Sequence, residues 1–175
     1  MKPSKNIDEL CYPFIYETSY LCDYEVATDE LCNHIGLLLD IVSKEFMQIH
    51  QDLKILQPLI YHLNGSIRGK LAVEESDILW LQQRYKYYQM QTNGLVTGFV
   101  LPQGSQPAPQ LHLARSACKK AIRLMVRIEE EGKFVPEILP RFCNLLCNFF
   151  FVLSLFVNHK MGTIEIPFIS KSYTR

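Results

Sequence analysis

Leu111, Ala114, Cys118, Ala121, Met125 and Ile128 recur at alternating intervals of three and four residues, a spacing that commits their segment to a helix with one buried stripe. The helix is expected over residues 111–127, directly behind the turn FVLPQGS at residues 99–105. Ser105 is expected to cap it, and Pro107 suits its first turn, where a missing N–H costs nothing. Arg115, Lys119, Lys120, Arg123 and Arg127 fall on the other faces. They make either a solvated surface or an anion or cofactor site beside the turn.

The same spacing recurs in four more segments. Leu31, Ile35, Leu38, Val42, Phe46 and Ile49 predict a helix beginning near Thr28 or Asp29. Asp29 and Glu30 would then lie in its first turn, at the positive end of the helix dipole. Residues 51–63 carry Leu53, Leu56, Ile60 and Leu63 on one face, with Pro58 predicting a kink or a late start and Asn64-Gly65 a break. Residues 75–91 turn Ile78, Leu81, Tyr85 and Tyr88 inward and stop at Asn93-Gly94. Pro136 is expected to open a fifth helix ending near Met161-Gly162, with Pro140 at the limit of what a first turn tolerates. Five amphipathic helices with short links make an all-α five-helix bundle. It spans residues 28–162, between an irregular N-terminal arm (1–27, with Tyr12, Phe14, Tyr16, Tyr20 and Tyr24) and an extended tail (163–175) in which Ile164, Ile166 and Phe168 alternate.

Charge and cysteine usage narrow the partners. Lys+Arg and Asp+Glu are both 18, so no overall field attracts nucleic acid or an anionic membrane. The uncharged run between Arg141 and His159 contains Asn144, Cys147, Asn148 and Ser154, and falls short of the ~20 apolar residues of a membrane span. It reads as the central helix of a soluble bundle. None of the six cysteines forms a CxxC pair and no signal peptide precedes the first helix, which points to the reducing cytoplasm. Cys143 and Cys147, four apart with His159 beyond, lack the second pair that zinc requires, so packed thiols and no metal are expected. His34 and His112 read as hydrogen-bonded interior or edge histidines rather than general bases. No nucleophile triad, Gly-rich phosphate loop or HExxH pattern occurs, and the residues alone identify no catalytic group.

FVLPQGS followed by LHLARSACKKAIR resembles the pattern FxLPGGS…LHxARxxxRRAER of the PduO-type ATP:cob(I)alamin adenosyltransferases. ATDELCNHIGL is similar to that family's GTVDELNSxIGL, and NLLCNFFFVLS to its NRLSDxLFxLAR, at matching distances over residues 27–158. The resemblance implies a five-helix bundle forming a homotrimer, with sites between subunits that take ATP with Mg and a corrinoid. A flavoprotein reductase is the implied electron source. The family's pocket removes the lower axial ligand of Co(II), and the Co(I) that follows attacks the 5′-carbon of ATP. Phe99 matches the phenylalanine that walls off the lower face of the corrinoid. Asp29 and Arg115 match an acid and an arginine that pair across the subunit interface.

The departures cluster on the nucleotide side. The family's N-terminal KTGDxGTT loop is absent, and only Ile15-Tyr16-Glu17-Thr18 resembles its start. Lys119 and Lys120 replace arginines, so charge remains but the planar bidentate fork does not. Ile122 replaces a glutamate, Leu145 an arginine and Asn148 an aspartate, while Arg123 and Asn144 are kept. Lys119, Lys120, Arg123 and Asn144 are thus the nucleotide-side remnants. Adenosyl transfer to cob(I)alamin is the implied activity. A relative that binds or hands on a corrinoid, and a purely structural trimeric bundle, are the alternatives.

Overall fold

The Ser19 hydroxyl accepts the Leu21 N–H at 3.2 Å and starts the first helix, α1 (Tyr20–Ile41). The computed structural model describes residues 3–42 and 44–172. After α1 follow α2 (Met47–Ser66), α3 (Glu75–Gln91), α4 (Pro107–Glu130) and α5 (Ile138–Lys160), with short 3-10 turns at Ile7–Glu9 and Lys44–Phe46. The all-α bundle of five helices expected from the spacing is the architecture that forms.

Helix α1 begins eight residues before Thr28. Tyr24, Thr28, Leu31, Ile35 and Leu38 continue one buried stripe upward, and the buried Tyr24 hydroxyl donates to the Leu63 carbonyl at 3.1 Å. Asp29 and Glu30 therefore sit in mid-helix, where the dipole of the first turn does not reach them. Helix α2 runs through Pro58 and past Asn64-Gly65. The Asn64 amide, expected to break the helix, instead donates at 2.7 Å to the Glu25 carbonyl and the Thr28 hydroxyl, fastening α2 to α1. Helix α3 has the predicted bounds and opens with a reciprocal Glu74–Asp77 capping box.

The start of α4 differs from expectation. Pro107 is its first residue, Gln106 precedes it without a side-chain cap, and Ser105 is committed elsewhere. Helix α5 starts after Glu137, two residues beyond Pro136, with Pro140 in its first turn. It reaches 23 residues and is long and apolar enough, by length and composition, to cross a membrane. Its apolar surface is spent between α4 and α3: Leu139, Phe142, Leu146, Phe149, Phe150 and Leu153 are fully buried.

The helices pack in the order α2–α1–α4–α5–α3. The remaining seam, between α3 and α2, is closed by polar groups. Asp52, 2% exposed, accepts from the Arg84 Nε at 2.9 Å and from the Tyr88 hydroxyl at 2.7 Å, and Gln48 adds a third donor at 3.2 Å. Cys118, Cys143 and Cys147 lie in the core, where burial pushes the Cys143 thiol up to about 12. His159 is exposed.

Candidate functional site

Two chain segments meet at the end of the bundle where α4 begins and α5 ends. Val100 bridges antiparallel to Pro167, the Leu101 N–H donates to the Ile166 carbonyl at 2.9 Å, and the Phe168 N–H to the Phe99 carbonyl at 2.8 Å. The alternating tail thus lies along the turn. Phe99 itself is 75% exposed, so it is not a core phenylalanine. Leu101, Ile166 and Phe168 are exposed beside it, giving an apolar surface with a fixed backbone.

That backbone is fixed from below by Asn158, buried at the end of α5. Its Oδ1 accepts both the N–H and the hydroxyl of Ser105 at 2.9 Å, and its Nδ2 donates to the Gln103 carbonyl at 3.1 Å and to Glu165 Oε1 at 2.8 Å. Gly104 crosses this amide at φ +132°, where a Cβ would collide with the Asn158 side chain. Sequence reasoning passed over Asn158. Its one signal is a polar residue within the most apolar helix of the chain.

Arg115 lies two turns into α4, with its guanidinium 5.1 Å from the centre of the Phe151 ring. Arg115, Lys119 and Arg123 repeat every four residues, a stripe ~12 Å long at 1.5 Å per residue. None of the three meets a carboxylate among the described residues. Lys120 points the other way, to Glu30 of α1 at 2.9 Å. Asp29 is exposed and accepts from the Tyr61 hydroxyl at 3.1 Å; within one chain it does not touch Arg115. The Asn144 amide donates to the Pro140 carbonyl of its own helix at 2.8 Å. Ile122 and Leu145 pack against the core, so the aliphatic replacements have become structural.

The arm lies at the opposite end. Ser19 and the Tyr20 N–H bond to Glu131, beyond the C-terminus of α4, and Ser19 also meets Lys133. Arg68 gathers the arm onto α1 and α2: it pairs with buried Glu25 at 2.9 Å and with Glu17 at 2.6 Å, while Phe14 lies 4.2 Å from its guanidinium carbon. Helix α4, 24 residues and ~36 Å long, separates this anchorage from the Phe99 turn.

The two histidines diverge. His34 Nδ1 pairs with the Gln110 amide at 2.7 Å, as a hydrogen-bonded histidine should. His112 departs from that expectation: it is 6% exposed and neither ring nitrogen has a partner. Burial, reinforced by the Arg115 charge, lowers its pKa to about 4, so the ring is neutral.

The family model described as cobalamin adenosyltransferase matches residues 18–157. A cobalamin adenosyltransferase of Cupriavidus metallidurans is 30% identical over 146 residues, covering 79% of this chain and 74% of that protein. The corrinoid adenosyltransferase of Bacillus subtilis is 27% identical over 147 residues, covering 80% and 75%. The corrinoid adenosyltransferase of Bos taurus is 25% identical over 149 residues, and the match spans 61% of its length. Among solved structures, a variant of the PduO-type ATP:corrinoid adenosyltransferase from Lactobacillus reuteri, complexed with cobalamin and ATP, superposes with a TM-score of 0.79 at 20% identity, covering 88% of each chain. That likeness establishes the fold.

Proposed function

This chain belongs to the cobalamin adenosyltransferase family, and from that premise we propose that it transfers the 5′-deoxyadenosyl group of ATP to cob(I)alamin. The observation that carries the proposal is Phe99: a 75% exposed aromatic ring on a turn that Asn158 and the tail hold still. Leaving such a ring in water forfeits the roughly 1.5–3 kcal/mol that full burial of a large apolar side chain provides. A flat apolar ligand recovers it. Against the lower face of a corrin, the ring excludes the water or base that would otherwise coordinate cobalt. In the transfer step, the electron pair of Co(I) forms the Co–C bond at the 5′-carbon as the C–O bond breaks and triphosphate leaves. Lys119 and Arg123, one turn apart on α4, offer that anion charge that no carboxylate among the described residues neutralises.

A corrinoid carrier without transfer is the second reading. It is favoured by Lys120, already neutralised by Glu30, and by Ile122 and Leu145, which can donate nothing to phosphate. Titration of the purified protein with cob(II)alamin, with and without Mg-ATP, separates the two by visible absorbance. Transfer predicts a four-coordinate Co(II) spectrum that depends on Mg-ATP, with half-saturation weaker than micromolar, and a Co–C bond after reduction. A carrier gives a bound spectrum indifferent to Mg-ATP and no Co–C bond. A spectrum that never changes overturns both and leaves a structural bundle.

Assembly as a homotrimer, an external reductase and a cytoplasmic setting belong to the same proposal. Asp29 and Arg115, exposed and half-buried respectively and not joined to each other within one chain, are the expected intersubunit pair. Asp29→Arg should dissociate the trimer, and the exchange Asp29→Arg with Arg115→Asp should restore it, read by light scattering. A monomeric wild type overturns this assembly.

A further inference from the structure

We propose that Asn158 is a positioning residue for the corrinoid-facing turn, acting on cobalt chemistry only through Phe99; the inference rests on the function proposed above. An amide side chain has two N–H donors and an acceptor oxygen with two lone pairs. Asn158 uses all four, and every partner lies in the turn or the tail: Ser105 twice, Gln103 and Glu165. None lies in the helical core that surrounds it. A polar residue retained only for packing would have no reason to direct its whole hydrogen-bonding capacity at one loop.

The fit extends to the backbone. Gly104 takes a φ that side chains rarely adopt, and a Cβ there would collide with the Asn158 amide that the turn crosses. Glu165 gains as well. Burial raises the pKa of its carboxyl and the Asn158 N–H opposes that rise, while its second oxygen is buried without a partner. Asn158 therefore joins three segments: the end of α5, the turn that carries Phe99, and the tail whose Phe168 N–H holds the Phe99 carbonyl. Removing the amide frees the turn and leaves Phe99 chemically intact but unplaced.

The test compares Asn158→Ala, Asn158→Asp, Phe99→Ala and the double variant Phe99→Ala with Asn158→Ala. Asn158→Asp keeps the shape and the Ser105 acceptor but loses both donations and sets a carboxylate against Glu165. Ser105→Ala and Gly104→Ala approach the same clasp from the turn and replace any Asn158 variant that does not fold. Two quantities are read: amide hydrogen exchange of residues 99–105 in the protein alone, and the four-coordinate fraction of bound Co(II) with Mg-ATP. We expect faster exchange confined to the turn and tail. We also expect the ratio of four- to five-coordinate Co(II) to fall about tenfold, the factor that 1.4 kcal/mol represents. The double variant should fall no further than Phe99→Ala alone, since two residues acting through one contact do not add. Unchanged exchange in residues 99–105, an unchanged Co(II) spectrum, or a loss additive with that of Phe99→Ala each overturns the positioning role by itself. A wild type that never perturbs the cob(II)alamin spectrum overturns the corrinoid function instead, and this inference with it, whatever the exchange shows.

Discussion

Arg84→Met should destabilise the protein by about 3–5 kcal/mol, the range measured when one partner of a buried ion pair is removed. Asp52 is the reason. Its carboxylate is 2% exposed, and the Arg84 guanidinium is the positive charge within bonding distance. The Tyr88 hydroxyl at 2.7 Å and the Gln48 amide at 3.2 Å would remain, satisfying lone pairs without neutralising the charge. Arg84 also lies over the rings of Tyr87 and Tyr88, at 4.7 and 5.3 Å, so the seam between α2 and α3 would lose packing as well. For a domain of this size each kcal/mol shifts the melting temperature by about 2–4 °C, so a fall of about 6–20 °C is expected in thermal unfolding. Asp52→Leu combined with Arg84→Met should recover most of it, because a well-packed apolar pair replaces a buried ion pair at little net cost. If Arg84→Met melts with the wild type, the seam is not held by this pair.

Acid sensitivity traced to His112 is the second large effect. Burial, and then the charge of Arg115, holds the folded-state pKa at about 4 against an ordinary 6.5. Above pH 6.5 the ring is neutral in both states, and its titration contributes nothing to stability. Between 6.5 and 4 the unfolded chain takes up a proton that the folded chain refuses, so stability falls as pH falls through that window. The whole shift corresponds to about 3 kcal/mol. His112→Leu should flatten this part of the pH profile in urea titrations at pH 4 to 7. Near pH 7 it should be neutral or stabilising, since it also removes two buried nitrogens that have no partner. Parallel wild-type and variant profiles would show that the ring gains a partner in the folded protein.

Both effects arise where sequence periodicity carries no information. The spacing of Leu111, Ala114, Cys118, Ala121, Met125 and Ile128 was enough to place α4 and its buried stripe, because a 3.6-residue repeat is a local property of the chain. Tyr24 marks where locality ends. Among scattered aromatics it read as part of an arm, yet its burial against Leu63 of α2 extends α1 by two turns. Ser105 had the chemistry of a helix cap and met a stronger partner 53 residues away. His112 and Asp52 were ordinary polar residues until five helices enclosed them. Of the candidate site, Phe99, Asp29 and Arg115 were legible only through a resemblance, and Asn158 was not singled out at all. Its role depends on three segments brought together by the fold.

The Ser105–Asn158 clasp also bears on the order in which the molecule is assembled. Helices α4 and α5 are consecutive and joined by a short turn, so their packing can begin early, as contacts close in sequence do. The clasp must wait until both helices have run their full length, since one partner precedes α4 and the other ends α5. The tail comes later still, because Glu165 and Phe168 dock on the turn and on the Asn158 amide beneath it. By this connectivity the Phe99 surface is expected to be completed last during folding. By the same connectivity it opens first, through sub-global fluctuations that leave the α1–α4–α5 core closed. A bound ligand bridging Phe99 and the tail would slow that opening without touching the core.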